Sequence, residues 1–81
     1  MKNERLSKAI GYCIKSMRTK LGLSQDEFGS MVNADRTYIC KIENGNKNLT
    51  IWKLCEICEK SGVTLRDFFN DEKFGQKYFE E

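Results

Sequence analysis

Apolar residues recur at intervals of three and four positions along nearly the whole chain, with polar and charged residues between them. The first such stripe ends before Gly22 and consists of Leu6, Ile10, Ile14 and Met17. This spacing places the apolar side chains on one face of an α-helix. The sequence contains no proline and no segment in which apolar and polar residues strictly alternate. The pattern therefore predicts an all-α fold.

Residues that favour the N-cap of a helix divide the rest of the chain into short helices. These candidate caps are Ser24, Asp35, Thr50 and Thr64. Apolar residues flank three of them at the positions of a hydrophobic staple, namely Leu23 with Phe28, Leu49 with Leu54, and Val63 with Phe68. Because a staple fixes the angle at which the chain enters a helix, residues 1–70 are predicted to form a compact bundle of five short helices.

The second and third predicted helices are separated by only Asn33 and Ala34. Asparagine tolerates the left-handed backbone conformation that so short a corner requires. Gly29 is predicted to lie at a close helix crossing, where a side chain larger than alanine would clash, and this contact would offset its helix penalty of about 1 kcal/mol. The alternative is that Gly29 is a weak surface position. Two short helices joined in this way form a helix-turn-helix, with the third helix on the outside.

The third helix is predicted to run from Asp35 to about Asn44, with one face toward the core and another toward solvent. Its core face carries Ile39 and Ile42, with Glu43 beside them. The outward face is polar and partly basic, and the residues on it or flanking it are Arg36, Thr37, Tyr38, Lys41 and Asn44. Side chains of these types can bind the base edges or phosphates of DNA. A solvated helix face has a similar composition, so the pattern alone leaves both interpretations open.

The composition favours a binding module over an enzyme. A chain of 81 residues is predicted to form one domain, too small for a large pocket. It has no histidine and no carboxylates placed to converge, so neither acid–base nor nucleophilic catalysis is expected, and no cofactor is predicted. The net charge of +2 is uneven, because residues 1–50 contain nine Lys and Arg against five Asp and Glu. A basic surface for a partner therefore belongs to the first half.

The four cysteines are predicted to be small apolar core residues rather than metal ligands. Cys55 and Cys58 have the spacing of half a zinc site, but Cys13 and Cys40 stand alone and no histidine can complete the set. The longest apolar run is too short to span a bilayer, and the polar start of the chain leads into no signal-peptide core. We therefore expect a cytoplasmic protein with reduced thiols, no metal and no membrane partner.

Residues from about Ile10 to Phe69 resemble the lambda-repressor-like (Cro/cI, XRE) helix-turn-helix family of bacterial and phage regulators. The resemblance rests on MRTKLGLSQDEF, DRTYICKIENG and GVTLRDFF, which occur at the family's spacing and in its order. Within the family, DRTYI, IE and NLTI are most similar to the controller proteins of bacterial restriction-modification systems. The resemblance implies a sequence-specific DNA-binding transcriptional regulator. The alternatives are a phage or plasmid repressor or antitoxin of the same fold, or a protein-interaction module that has lost DNA binding.

The resemblance also implies roles for individual residues. Base reading falls to Arg36, Thr37 and Lys41. Contacts with the DNA backbone fall to Gln25, Tyr38 and a loop, which in controller proteins also reads some bases and here consists of Lys47, Asn48 and Thr50. Gln25 would lie at the positive end of the second helix, where a phosphate is favoured. Arg18 and Glu43 are implied to form a structural ion pair that holds the third helix.

The family pattern further implies a homodimer on double-stranded DNA, assembled through the C-terminal helices and bound to a near-palindromic operator. RNA polymerase would be a further partner of an activator. The tail, residues 71–81, carries Phe74, Tyr78 and Phe79 at helical spacing and is a candidate sixth helix at the dimer interface. Two positions depart from the family. Asn33 replaces the common turn glycine, and Ser61 replaces a leucine at the end of the fourth helix, which leaves the packing there open.

Overall fold

The structure, a computed structural model, describes residues 4–71 together with residues 74 and 75. Its helices are α1 (Glu4–Lys20), α2 (Gln25–Met31), α3 (Arg36–Glu43), α4 (Ile51–Ser61) and α5 (Leu65–Phe69). The described residues contain no strand, so the predicted all-α bundle of five short helices is confirmed. The predicted sixth helix of the tail, with Tyr78 and Phe79, lies outside the described residues.

Helices α2 to α5 each have a side-chain N-cap at the predicted residue. These caps are Ser24, Asp35, Thr50 and Thr64. The oxygen of each cap accepts a hydrogen bond from the backbone N–H three residues later, at 2.8 to 3.1 Å. At α2 the capping box is complete, because Ser24 N–H donates to Glu27 Oε1 at 2.8 Å. These hydrogen bonds with Ser24 lower the pKa of the Glu27 carboxyl. Each of these helices therefore starts where its own local sequence favours a cap.

The core draws apolar side chains from every one of these helices. Buried members include Ile14 of α1, Phe28 of α2, Ile39 and Ile42 of α3, Ile57 of α4 and Phe68 of α5. Interlocking side chains from five directions leave little freedom for any one helix to rotate. The core therefore determines which face of α3 remains in solvent.

Helix α1 lies against the C-terminal end of α3 at Gly11. The backbone carbonyl oxygens of Ile42 and Glu43 occupy the space that a Cβ at position 11 would need. Sequence patterns did not indicate this contact, because a glycine inside a helix indicates only a weak helix former. Even alanine at position 11 would push α1 away from α3.

The corner between α2 and α3 has the predicted left-handed residue, because Asn33 adopts a φ of 59°. Ala34 N–H donates to Gly29 O at 2.8 Å and closes the end of α2. Gly29 packs more closely than predicted, since a Cβ there would lie 2.5 Å from the Ala34 carbonyl oxygen. The predicted close crossing is present, and it excludes alanine as well as larger side chains. The reason is that Gly29 meets the backbone of the corner, which cannot rotate aside as a side chain can.

The end of α4 is loosely packed around Ser61. The Ser61 hydroxyl is buried and has no hydrogen-bond partner in the part of the chain that the structure describes. It borders a half-open cleft of about 310 Å³ whose lining includes Met17, Val63 and Phe68. Ser61 therefore contributes a buried polar group, not an apolar side chain, to the wall of this cleft.

Large apolar side chains remain on the surface of α4 and α5. Trp52 is 82% exposed, Ile51 is 54% exposed and Phe69 is 39% exposed. The ring of Phe74, in the tail, packs against Phe69 with centroids 4.9 Å apart. No helix among the described residues has both the length and the apolar character needed to cross a membrane.

Candidate nucleic-acid interface

Helix α3 is fixed in rotation by two isoleucines. Ile39 is 0% exposed and Ile42 is 2% exposed, so one side of the helix is anchored in the core. This anchoring leaves a row of polar side chains in solvent, formed by Arg36, Thr37, Lys41 and Asn44. Of these, Asn44 contacts its own helix, with its amide nitrogen 3.5 Å from Cys40 Sγ. The helix therefore presents a polar and basic face outward from a rigid support.

The loop between α3 and α4 continues this surface. Lys47 and Asn48 are exposed, and Lys47 Nζ lies 5.3 Å from the centroid of the Tyr38 ring. A cation at this distance is attracted by the face of an aromatic ring. The Thr50 hydroxyl accepts a hydrogen bond from Lys53 N–H as the cap of α4, which leaves its own O–H available to donate. The predicted loop residues are thus brought beside α3.

Arg18 of α1 and Glu43 of α3 form a bidentate ion pair. Arg18 Nε lies 2.7 Å from Glu43 Oε2, and Arg18 Nη2 lies 3.2 Å from Glu43 Oε1. Arg18 Nη1 donates to the backbone oxygen of Leu23 at 2.8 Å. The side chains of Arg18 and Glu43 are only 12% and 3% exposed, and their hydrogen bonds raise the pKa of the guanidinium. The pair ties the end of α3 to α1 and to the start of α2.

Gln25 is part of the same cluster. Its Nε2 donates to Glu43 Oε1 at 3.1 Å, and its side chain is half-buried. This hydrogen bond uses one amide hydrogen and leaves the second hydrogen and the carbonyl oxygen for another partner. The position of Gln25 at the start of α2 was predicted, but this hydrogen bond, which holds the side chain in one orientation, was not.

The structure also reveals a network at the corner that the sequence analysis missed. Lys53 of α4 donates to the backbone oxygens of Val32 and Asn33 at 3.0 and 2.9 Å, and to Glu56 Oε1 at 2.9 Å. The Asn33 side chain donates to Glu56 Oε2 at 3.1 Å. The hydrogen bond from Lys53 is the largest cause of a lowered pKa for the Glu56 carboxyl. The spacing of Lys53 and Glu56 on one helix face could have indicated their pairing, but not their contact with the corner.

Tyr38 lies between the corner network and the loop. Its ring is half-buried against the core, with Lys47 Nζ at 5.3 Å and Lys53 Nζ at 5.9 Å from the ring centroid. Burial raises the pKa of the phenol, and Glu56 adds to the effect. The hydroxyl therefore stays protonated at neutral pH and can donate a hydrogen bond.

All four cysteines are free thiols, and Cys40 borders the outward face of α3 through its contact with Asn44. Cys13 and Cys58 are buried, and Cys40 and Cys55 are half-buried. Burial, with a contribution from Cys55, raises the pKa of Cys58 to about 11. Among residues 4–71, 74 and 75, no three or more Cys, Asp or Glu side chains are grouped as metal ligands would be.

The arrangement of α2, corner and α3 agrees with a comparison against protein families. A family model described as a helix-turn-helix domain matches residues 11–73, more than three quarters of the chain. The chain belongs to the helix-turn-helix domain family. This membership confirms the predicted class, a DNA-binding regulator of the helix-turn-helix type.

Similar proteins place this helix-turn-helix domain near restriction-modification regulators. Control protein C.MunI of Mycoplasma sp is 39% identical over 63 residues, which cover 76% of this chain and 85% of that protein. A crystal structure of the restriction-modification controller protein C.Esp1396I matches with a TM-score of 0.73 and 36% identity, covering 79% of this chain and 83% of that one. C.Esp1396I in a nucleoprotein complex matches with a TM-score of 0.74 and 32% identity over 94% of this chain and 95% of that one. The predicted resemblance to controller proteins is confirmed.

An antitoxin is also similar to this helix-turn-helix domain. Antitoxin PezA of Streptococcus pneumoniae serotype 4 is 33% identical over 64 residues, which cover 79% of this chain. The matched region is only 40% of PezA. The chain therefore corresponds to less than half of that protein.

Proposed function

We propose that this protein is the controller of a restriction-modification system, a homodimer that binds a near-palindromic operator in double-stranded DNA and regulates transcription. The observation that carries the proposal is the outward face of α3, where Arg36, Thr37 and Lys41 stand together in solvent. A helix held by its core face can enter a major groove and present such donors to base edges. The similarity to C.MunI and C.Esp1396I, which are named control and controller proteins, supports the narrower role.

In this proposal, α3 reads sequence and the residues around it hold the DNA backbone. Arg36 can donate two hydrogen bonds to one guanine, Thr37 can offer its methyl group to thymine, and Lys41 can donate to a base or a phosphate. The backbone-binding set consists of Gln25, Tyr38, Lys47, Asn48 and Thr50, while Asn44 extends the outward face of α3. Contacts with phosphates fix the register of the protein on DNA, and contacts with bases provide discrimination.

A dimer follows from the small size of the reading surface. One short helix makes too few base contacts to select a single site in a genome. Two copies related by a twofold axis would place their α3 helices in successive major grooves, about 34 Å apart. The exposed side chains of Ile51, Trp52 and Phe69 offer apolar surface for the interface.

The proposed regulator acts in the cytoplasm, where it reaches DNA and, as an activator, RNA polymerase. A DNA-binding antitoxin is the second candidate function, and the identity with PezA favours it. The two candidates differ in their partners. An antitoxin must also bind a toxin, whereas a controller of the proposed kind needs only its own second copy to bind the operator.

Selection from a random duplex library tests this proposal. The wild-type protein should enrich a near-palindromic site with half-sites about one helical turn apart. In sedimentation it should form a species of twice the 9.5 kDa chain mass. Failure to enrich any sequence would favour a protein-interaction module. A 9.5 kDa species both with and without the selected duplex would refute the dimer.

A further inference from the structure

The ammonium group of Lys53 joins the first turns of α4 to the corner between α2 and α3. It lies 2.9 to 3.0 Å from three acceptors, which are the backbone oxygens of Val32 and Asn33 and the Oε1 atom of Glu56. An ammonium group carries three N–H donors and no acceptor. The three acceptors around Lys53 therefore use its whole hydrogen-bonding capacity.

This saturation distinguishes Lys53 from the second lysine beside Tyr38. Lys47 is exposed, and its contact within the described residues is with the face of the Tyr38 ring. Its N–H groups therefore remain available for a phosphate. Lys53 carries the same charge and lies 5.9 Å from the same ring, but it has no donor left. Its charge is also balanced at 2.9 Å by Glu56.

These contacts lie at the corner that sets the direction of α3. Val32 caps the end of α2 and Asn33 follows it, and only Ala34 and the cap Asp35 separate them from the first turn of α3. Carbonyl groups at the end of a helix have no partner within the helix, so Lys53 supplies partners that water would otherwise provide. Because the corner sets the crossing angle of the two helices, a shift of its backbone changes the direction in which α3 points.

We propose that Lys53 is a positioning residue for DNA reading, which holds the corner between α2 and α3 in place and makes no contact with a DNA phosphate. This inference rests on the proposed DNA-binding function. Lys53 acts through the corner and α3, so its removal should misplace the base-reading side chains and leave the ionic contact of Lys47 with phosphate in place. Discrimination between sequences should fall, while binding to arbitrary DNA should hardly change.

A charge-neutral double variant tests the proposal. Lys53→Met with Glu56→Gln removes the ion pair, keeps the side-chain lengths and leaves the net charge unchanged. The matched control is Glu59→Gln with Lys15→Met, which removes two exposed side chains of the same charges outside the Lys53 network. Each protein is titrated with salt on the duplex selected by the wild type and on a scrambled duplex. The selected duplex should be bound about tenfold more weakly by the first variant, and the scrambled duplex less than about twofold.

The salt slope separates positioning from phosphate binding. The first variant should keep the wild-type slope, because the slope falls by about one unit for each phosphate that the protein no longer binds. A lowered slope, with equal losses on both duplexes, would make Lys53 a phosphate contact and overturn the proposal. Behaviour identical to that of the control would show that the network does not position α3. A lower unfolding temperature with an unchanged ratio of the two affinities would reduce Lys53 to a stabilising residue and also overturn it.

A milder variant covers the case in which the double variant does not fold. Asn33→Gly keeps a residue that adopts positive φ without strain, but removes the amide that binds Glu56. The ratio of the affinity for the selected duplex to that for the scrambled duplex should fall, by a smaller factor than in the double variant. An unchanged ratio would count against the proposal. A wild-type protein with no preference for the selected duplex would refute the proposed function itself, and the role of Lys53 with it.

Discussion

Removing Arg18 from the Arg18–Glu43 pair should destabilise the domain by about 3–5 kcal/mol, the usual cost of leaving a buried charge alone. Arg18→Met removes two hydrogen bonds to Glu43 and one to the Leu23 carbonyl. The Glu43 carboxylate, whose side chain is only 3% exposed, then keeps the Gln25 amide as its remaining donor in the cluster. A domain of this length has about 4–12 kcal/mol of stability in total, so one substitution would remove a large part of it.

Removing Glu43 should lower the free energy of unfolding by somewhat less than removing Arg18. Glu43→Leu leaves the Arg18 guanidinium with the Leu23 carbonyl, but the Arg18 side chain is 12% exposed and keeps some contact with water. We expect about 2–4 kcal/mol for this change. The double variant replaces both charged groups by apolar ones of similar size, so no charge is left alone. It should therefore lose only about 1–2 kcal/mol, and the coupling energy should be several kcal/mol.

Urea unfolding of the four proteins, followed by circular dichroism, measures this coupling. The midpoints and slopes give the free energy of unfolding of each protein. Additive losses in the cycle would refute the reasoning, because they would mean that neither charge depends on the other. Single losses below about 1 kcal/mol would refute it too, since pairs of that strength are typical of exposed charges. A slope that changes among the variants would show instead that the unfolded state had been altered.

Three further outcomes can be measured directly. Arg36→Ala should cost about 1–3 kcal/mol of binding free energy on the selected duplex and little on scrambled DNA. Lys47→Ala should weaken binding to both duplexes and lower the salt slope. Equal losses on the two duplexes for Arg36→Ala would make Arg36 a phosphate anchor. Gly29→Ala should lose about 1–3 kcal/mol in urea unfolding, because its Cβ would lie 2.5 Å from a backbone oxygen; exposed Ser30→Ala is the control, and equal stability of the two would contradict the clash. Since the pKa of Cys58 is about 11, iodoacetamide at about pH 8 should label it only in urea; equal labelling of folded protein would disprove its protection.

The helix starts could be predicted because their causes are local. Each cap binds a backbone N–H only three residues away, as Ser24 and Asp35 show. The corner could be predicted for the same reason, since Asn33 needs no distant partner to adopt positive φ. The outward face of α3 followed from helical periodicity, once Ile39 and Ile42 were assigned to the core.

Contacts between distant segments could not be predicted from such patterns. Lys53 binds backbone oxygens 20 and 21 residues earlier, and Gln25 binds Glu43 across 18 residues. A backbone oxygen carries no sequence signature, so nothing marks Lys53 as different from a solvated lysine. Gly11 was missed on the same grounds, because the atoms that exclude a side chain there belong to the backbone of another helix.

The exposed ring at the start of α4 makes the intrinsic fluorescence of the protein informative. Trp52 is the single tryptophan of the sequence, and it is already 82% exposed in the folded chain. Indole emission moves to shorter wavelengths when water is excluded from the ring. Unfolding the isolated chain should therefore change the wavelength of maximum emission little. Any molecule that covers the first turn of α4 should shift that maximum to shorter wavelengths. The native emission spectrum reports on assembly, not on folding.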